Sequence, residues 1–283
     1  MTVWLGLWVS NNTSVFTKEL AMLQTLISEK LVTNEHVDGI NALISEKLVT
    51  NKLVDGINVG SESLYRKEVT PQVLIENYKA AKTALTASNL KIPLSITDTL
   101  DVLVLHPEVV AVQDVVTFNV FPFWNRIAID KAVDDLETSI NNATNLTNAK
   151  PFIIAETGWP AGGFNVRGSE ASPTSAARYM SEFVALATKK GWKYYYFAGF
   201  DTPYRKELDN QKDSVEAYFG IFNVSGKLNT HYEALTINAT NMPDGLAIPL
   251  DNTVPTPASG VAPRSRQGWL LIVAALTFTV TIR

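Results

Sequence analysis

Along the first 240 residues, short apolar and β-branched runs alternate with longer stretches in which apolar residues recur three and four apart. The short runs predict buried parallel strands, and the longer stretches predict amphipathic helices lying against them. Six strands are expected, over residues 2–10 (TVWLGLWVS), 54–60 (VDGINVG), 92–97 (IPLSIT), 115–121 (VVTFNVF), 152–156 (FIIAE) and 194–201 (YYYFAGFD). Helices are expected over TPQVLIENYKAAKTALTAS (70–88) and SPTSAARYMSEFVALATKK (172–190), each opening on a Ser or Thr suited to capping the first turn. Repeated strand–helix units of this kind predict an α/β fold around a parallel sheet.

The pattern breaks in two places. Residues 241–267 hold five prolines and no aromatic residue, so they are expected to be a linker, which ends the globular part near residue 240. LISEKLVTNEHVDGIN (26–41) is repeated, after Ala42, as LISEKLVTNKLVDGIN (43–58), a tandem duplication of period 17. Two copies fall short of the three or more that a solenoid needs, so the repeat is expected to be local.

Composition narrows the function. With 283 residues, 46% of them hydrophobic, the chain can bury a large core. A net charge of −4 without a basic stripe argues against a nucleic-acid partner. The absence of cysteine removes thiol catalysis, disulfides and cysteine-ligated zinc together. His36, His106 and His231 are too dispersed for a metal site or a triad, and no cofactor is expected.

The ends of the chain speak to location. Six Asn-x-Ser/Thr acceptors, at Asn11, Asn12, Asn142, Asn145, Asn223 and Asn238, suggest a secreted glycoprotein. The terminal GWLLIVAALTFTVTIR (268–283) is shorter than the ~20 apolar residues of a spanning helix. Upstream lie the small residues Ala258, Ser259 and Gly260 and the polar spacer VAPRSRQ, the pattern of a glycosylphosphatidylinositol attachment signal. A cell-surface or cell-wall monomer, held to the membrane only through that lipid, is therefore expected, although MTVWLGLWVS is not preceded by a signal peptide.

Chemistry is carried by two strands that end on carboxylates. GINVGSESLYR places Glu62 where the chain turns toward a helix, and FIIAETGWP does the same with Glu156. In a parallel barrel all strand C-termini open on one face, so two such residues can converge on one cleft. Cleavage of a glycosidic bond uses such a pair, one carboxyl as proton donor and one as nucleophile or base.

At these residues the chain resembles glycoside hydrolase family 17, and within it the fungal wall-associated β-1,3-glucanases and glucanosyltransferases. VGSESLYR is similar to the family's acid/base motif and ETGWP to its nucleophile motif; FNVFPFW (118–124) and FDTPYR…VEAYFGIF (200–222) follow in the family's order. The resemblance implies a (β/α)8 TIM barrel, a retaining reaction on β-1,3-glucan, Glu62 as proton donor and Glu156 as nucleophile. Counted from those assignments, the first strand here corresponds to the family's third, so the barrel is expected to be incomplete, with Met1 lying inside a longer product. Ser61 and Thr202 stand where many relatives carry Asn and Glu. Aromatic residues after the strand ends are candidates for stacking on sugar rings: Phe123, Trp124, Trp159 and Tyr204, with Trp159 and Tyr204 the favoured contacts and Phe121 assigned to the core. Arg205 and Glu216 are read either as polar contacts in the cleft or as surface charges. A non-catalytic wall glycoprotein is the alternative to the enzyme.

Overall fold

The computed structural model describes residues 3–28, 54–143, 150–164, 168–208, 213–233 and 235. Most of the tandem repeat, Asn145, Asn238, the proline-rich segment, Ala258, Ser259 and the apolar tail lie outside the described residues. In chain order the elements are β1 (Val3–Leu7), α1 (Thr13–Ser28), β2 (Val54–Ser61), α2 (Pro71–Ala87), β3 (Leu94–Thr99), α3 (Leu100–Leu105), α4 (Pro107–Val112), β4 (Val116–Asn119), α5 (Ala132–Ala143), β5 (Phe152–Thr157), α6 (Pro173–Lys190), β6 (Lys193–Tyr196) and α7 (Arg205–Leu208). All six expected strands form, and they pair in sequence order into one parallel sheet, β1 and β6 being its two edges. The described part is thus an open section of barrel wall made of successive strand–helix units.

Local chemistry sets the helix ends. Thr70 accepts a hydrogen bond from the Val73 amide and Pro71 opens α2. Ser172 does the same for Ser175 ahead of Pro173 in α6, which stops at Gly191 in the left-handed conformation behind Lys189 and Lys190. Each long helix buries one stripe: Leu74, Ile75, Tyr78, Ala81 and Leu85 in α2, and Ala176, Tyr179, Met180, Phe183 and Ala187 in α6. On the strands, Asn58, Thr97 and Thr117 form a polar ladder, with Thr97 Oγ1 donating to Asn58 Oδ1 at 2.8 Å and lying 2.7 Å from Thr117 Oγ1. Such a ladder satisfies buried hydroxyls strand to strand.

The strands that looked longest in the sequence end early. Residues 8–10 have left β1, and the chain after Tyr196 departs from the sheet toward the segment at Phe219. There the Ala198 amide donates to the Phe219 carbonyl and the Ile221 amide to the Ala198 carbonyl. This excursion brings Phe197 against the turn after β5, where a Cβ on Gly158 would collide with the Phe197 carbonyl oxygen. Gly158→Ala is expected to cost about 1–3 kcal/mol of stability. Gly6→Ala, where a Cβ meets nothing within 4 Å, should stay within about 0.5 kcal/mol. Denaturant midpoints of the two variants give the comparison, and equal midpoints would contradict it.

Candidate active site

Two strands carry an extra residue just before their terminal carboxylate. Between Asn58, which faces Ser95, and Ser61, which faces Thr97, β2 takes three steps while β3 takes two. Between Ile154 and Thr157, β5 takes three steps while β6 takes two from Tyr194 to Tyr196; against β4 the same insertion puts Asn119 opposite Glu156 and Phe118 opposite Ile154. A bulge re-aims the side chains that follow it, and bulges are over-represented beside active sites. In β2 the turn is accommodated by Gly60 at φ 82°, and Glu62 itself sits at φ 54°. A non-glycine residue in that region is held there by its surroundings.

Those surroundings are specific. The Glu62 amide donates to the Thr97 carbonyl at 3.0 Å. Asp98, fully buried at the end of β3, accepts from the amides of Leu64 at 2.9 Å, Tyr65 at 3.3 Å and Thr99 at 2.9 Å, clamping the loop behind Glu62. Burial holds the Asp98 carboxyl above its usual range in spite of those donors. Asn119 Nδ2 donates to Glu62 Oε1 at 2.8 Å, so one side chain on β4 touches Glu62 while its backbone is registered against Glu156. Arg66 lies 3.8 Å from Glu62 Oε2 and is itself fixed by the Ser61 carbonyl at 2.8 Å and by Glu68 at 3.2 Å.

Below Glu156 the packing is aromatic. Thr157 is buried with its hydroxyl on the Tyr179 hydroxyl. Trp159 has no exposed surface; its Nε1 donates to the Glu170 carbonyl at 2.8 Å, and its ring centroid lies 5.3 Å from Phe123 and 5.6 Å from Tyr179. Phe123 is equally buried. The expectation that Trp159 and Phe123 contact sugar is thereby corrected: Trp159 packs on Tyr179 of α6, Phe123 packs on Trp159, and neither has exposed surface to offer a ligand. Phe121 packs edge-on against Phe197 and Phe219, as a core residue does.

The remaining predicted residues divide. Arg205 donates to Glu216 at 2.7 Å, and Thr202 Oγ1 holds the Glu216 carbonyl at 2.8 Å. Burial, with the negative charges of Glu62 and Glu216, pushes the Glu156 carboxyl up to about 8, against the opposing pull of Arg205 and Arg66. Glu62, Glu156, Glu216, Arg66 and Arg205 therefore form one electrostatic cluster. Tyr204 and Trp124 lie on loops beyond the strand ends, 54% and 41% exposed, with aromatic surface free. Of the glycosylation candidates, Asn11, Asn12 and Asn142 are exposed, while Asn223 is half-buried, its Oδ1 accepting from the amides of Ser225 and Lys227. Sequence reasoning assigned no role to Asn119, Asp98, Arg66 or Trp8; Arg66 stood inside the motif around Glu62 and Asn119 inside FNVFPFW, but no local pattern marks Asp98. Among the described residues, no group of three or more His, Asp or Glu could hold a metal ion, and no helix is long and apolar enough to cross a membrane.

Comparison with known proteins agrees with this architecture. Residues 1–220 match the BtgE/BtgC glycoside hydrolase domain. The chain is 25% identical over 252 residues, 81% of its length and 33% of the relative's, to the probable glucan endo-1,3-beta-glucosidase btgC of Aspergillus clavatus. The corresponding figures for the Aspergillus terreus protein described in the same words are 26%, 267 residues, 88% and 36%. The chain thus spans about a third of the length of the curated relatives it matches. Among solved structures, a glycoside hydrolase family 17 beta-1,3-glucanosyltransferase from Rhizomucor miehei superposes with a TM-score of 0.66 at 26% identity, covering 82% of this chain and 75% of that one.

The raised Glu156 carboxyl gives a signed prediction. Between its ordinary value of 4.5 and about 8, folded Glu156 keeps a proton that the unfolded chain has released. Its contribution to stability is then complete below that window and is lost as pH rises through it. Glu156→Gln removes the dependence, so its melting temperature relative to wild type should climb from pH 5 to pH 8. A constant difference across that range would contradict the assigned burial.

Proposed function

This chain belongs to the BtgE/BtgC glycoside hydrolase family, and from that premise we propose that it cleaves β-1,3-glucan with retention, by double displacement on Glu62 and Glu156. The observation that carries the reading is the pairing of two strand-end carboxylates, each set out by an extra residue and joined through Asn119. It is supported by the likeness to a beta-1,3-glucanosyltransferase, an active-site mutant of which is known in complex with laminaritriose.

In the proposed reaction Glu62 gives its proton to the departing glycosidic oxygen while ionised Glu156 attacks the anomeric carbon. A retaining enzyme brings the two carboxyls ~5–5.5 Å apart for this purpose. Water or the hydroxyl of a second glucan chain then resolves the ester, with Glu62 acting as base. The raised Glu156 carboxyl means that the acidic cluster carries a proton near neutrality, and the reaction needs one. Substrate must leave that proton on Glu62; positive charge developing at the anomeric carbon favours ionised Glu156 and drives it that way. Arg205 and Glu216, tied to each other, supply fixed charge beside Glu156, and Tyr204 and Trp124 supply aromatic faces for the sugar rings. The attachment-signal pattern and the glycosylation acceptors favour action at the cell surface or wall.

Laminarin turnover by the full-length protein tests this. Glu62→Gln should lower the rate roughly 10²–10⁴-fold, and Glu156→Gln should abolish it. Asn119→Ala, which removes a hydrogen bond to a charged group, should cost about tenfold or more. Wild-type rates in either Glu variant would remove that residue from its role. Absence of wild-type turnover would favour the non-catalytic glycoprotein.

A further inference from the structure

Trp8 has no part in the reaction as described, yet its indole is exposed while its backbone and one ring face are held by neighbours. It follows β1 between the buried residues Leu7 and Val9, with 41% of its own surface exposed. Its backbone N–H binds the carboxylate of Glu19 on α1. The adjacent Val9 carbonyl accepts from the buried Ser63 hydroxyl at 3.0 Å, which ties this segment to the loop of Glu62. Arg66 lies over the indole, 5.0 Å from the ring centroid, and is the same guanidinium that Ser61, Glu68 and Glu62 hold. An indole fixed in this way loses little freedom on binding, and its apolar surface suits the C–H face of a pyranose ring.

Its position determines which sugar it meets. A proton donor has to stand beside the glycosidic oxygen, on the leaving-group side of the anomeric carbon. Trp8 reaches Glu62 through one residue, Arg66, and directly follows β1; Glu156 lies on β5, on the opposite side of β2 in the sheet order. Given the reaction proposed above, on which this rests, we infer that Trp8 is the stacking platform for the leaving-group sugar, and for the acceptor glucan that later takes its place. In transfer, the acceptor hydroxyl oxygen bonds to the anomeric carbon as the Glu156 ester bond breaks, the electron pair returns to Glu156, and the hydroxyl proton passes to Glu62. By holding the acceptor, Trp8 sets the partition between transfer to sugar and transfer to water.

The test uses the full-length protein with laminari-oligosaccharides, separating transfer products from hydrolysis products by chromatography at increasing oligosaccharide concentration. Trp8→Ala should lower the transfer-to-hydrolysis ratio roughly two- to tenfold, the range expected for loss of one aromatic contact, and Trp8→Phe should retain most of it. In a Glu156→Gln background, calorimetry should find laminaritriose binding weakened by a similar factor when Trp8→Ala is added. An unchanged ratio in an enzyme that turns over, or equal affinities with and without Trp8→Ala, would overturn the assignment. If the wild type shows no turnover while Trp8→Ala still weakens binding, the platform stands and the proposed reaction fails. If there is neither turnover nor binding, both fail.

Discussion

The hydrogen bond from Asn119 to Glu62 is the constraint around which the site is arranged. Asn119 ends β4, its backbone is registered against Glu156 on β5, and its amide reaches past β3 to the carboxylate that follows β2. Parallel pairing makes this geometry available, because every strand's C-terminal end lies on the same edge of the sheet. Pairing alone would leave both carboxylates on the regular alternation of their strands. The extra residue in β2 and in β5 breaks that alternation close to each carboxylate, and Asp98 and the Trp159 anchor hold the displaced ends in place.

The energetics divide between a dry base and a charged rim. Behind Thr157, next to Glu156 in the chain, Trp159, Tyr179, Phe183 and Tyr196 pack as a continuous aromatic layer with little or no exposed surface. Burial of Glu156 itself is the main reason its carboxyl keeps a proton so high. Above it, Arg205 with Glu216 and Arg66 with Glu68 are each pinned by a partner, so their charges stay in fixed places. Fixed charge in a partly dry cleft is worth more to developing charge than the same groups free in solvent. On the proposed mechanism, this is why the acidic cluster holds one proton and can move it.

Much of the fold was legible in the sequence because its signals are local. Each of the six strands announced itself as an apolar run, and Thr70, Pro71, Ser172 and Pro173 marked the starts of α2 and α6. The ends of the strands were less legible. The apolar run TVWLGLWVS continues past Leu7, but the paired strand does not, and Trp8 stands exposed at the rim. For Trp159 and Phe123 the expectation failed the other way, since an aromatic residue after a strand end can turn to either side and only the packing around it decides which. The bulges and the Asn119 contact depend on register between residues 36 or more apart in the chain, and no local pattern records that.

The central claim is that Glu156 forms the bond to sugar. The most direct measurement is to trap the reaction of the full-length protein with a slow fluorinated β-glucoside, digest it, and locate the adduct by mass spectrometry. The account predicts one glycosyl group on the peptide carrying Glu156, absent from Glu156→Gln and accumulating in Glu62→Gln when the leaving group is activated. A label on Glu62 instead, or turnover with inversion and no label on either carboxylate, would contradict it.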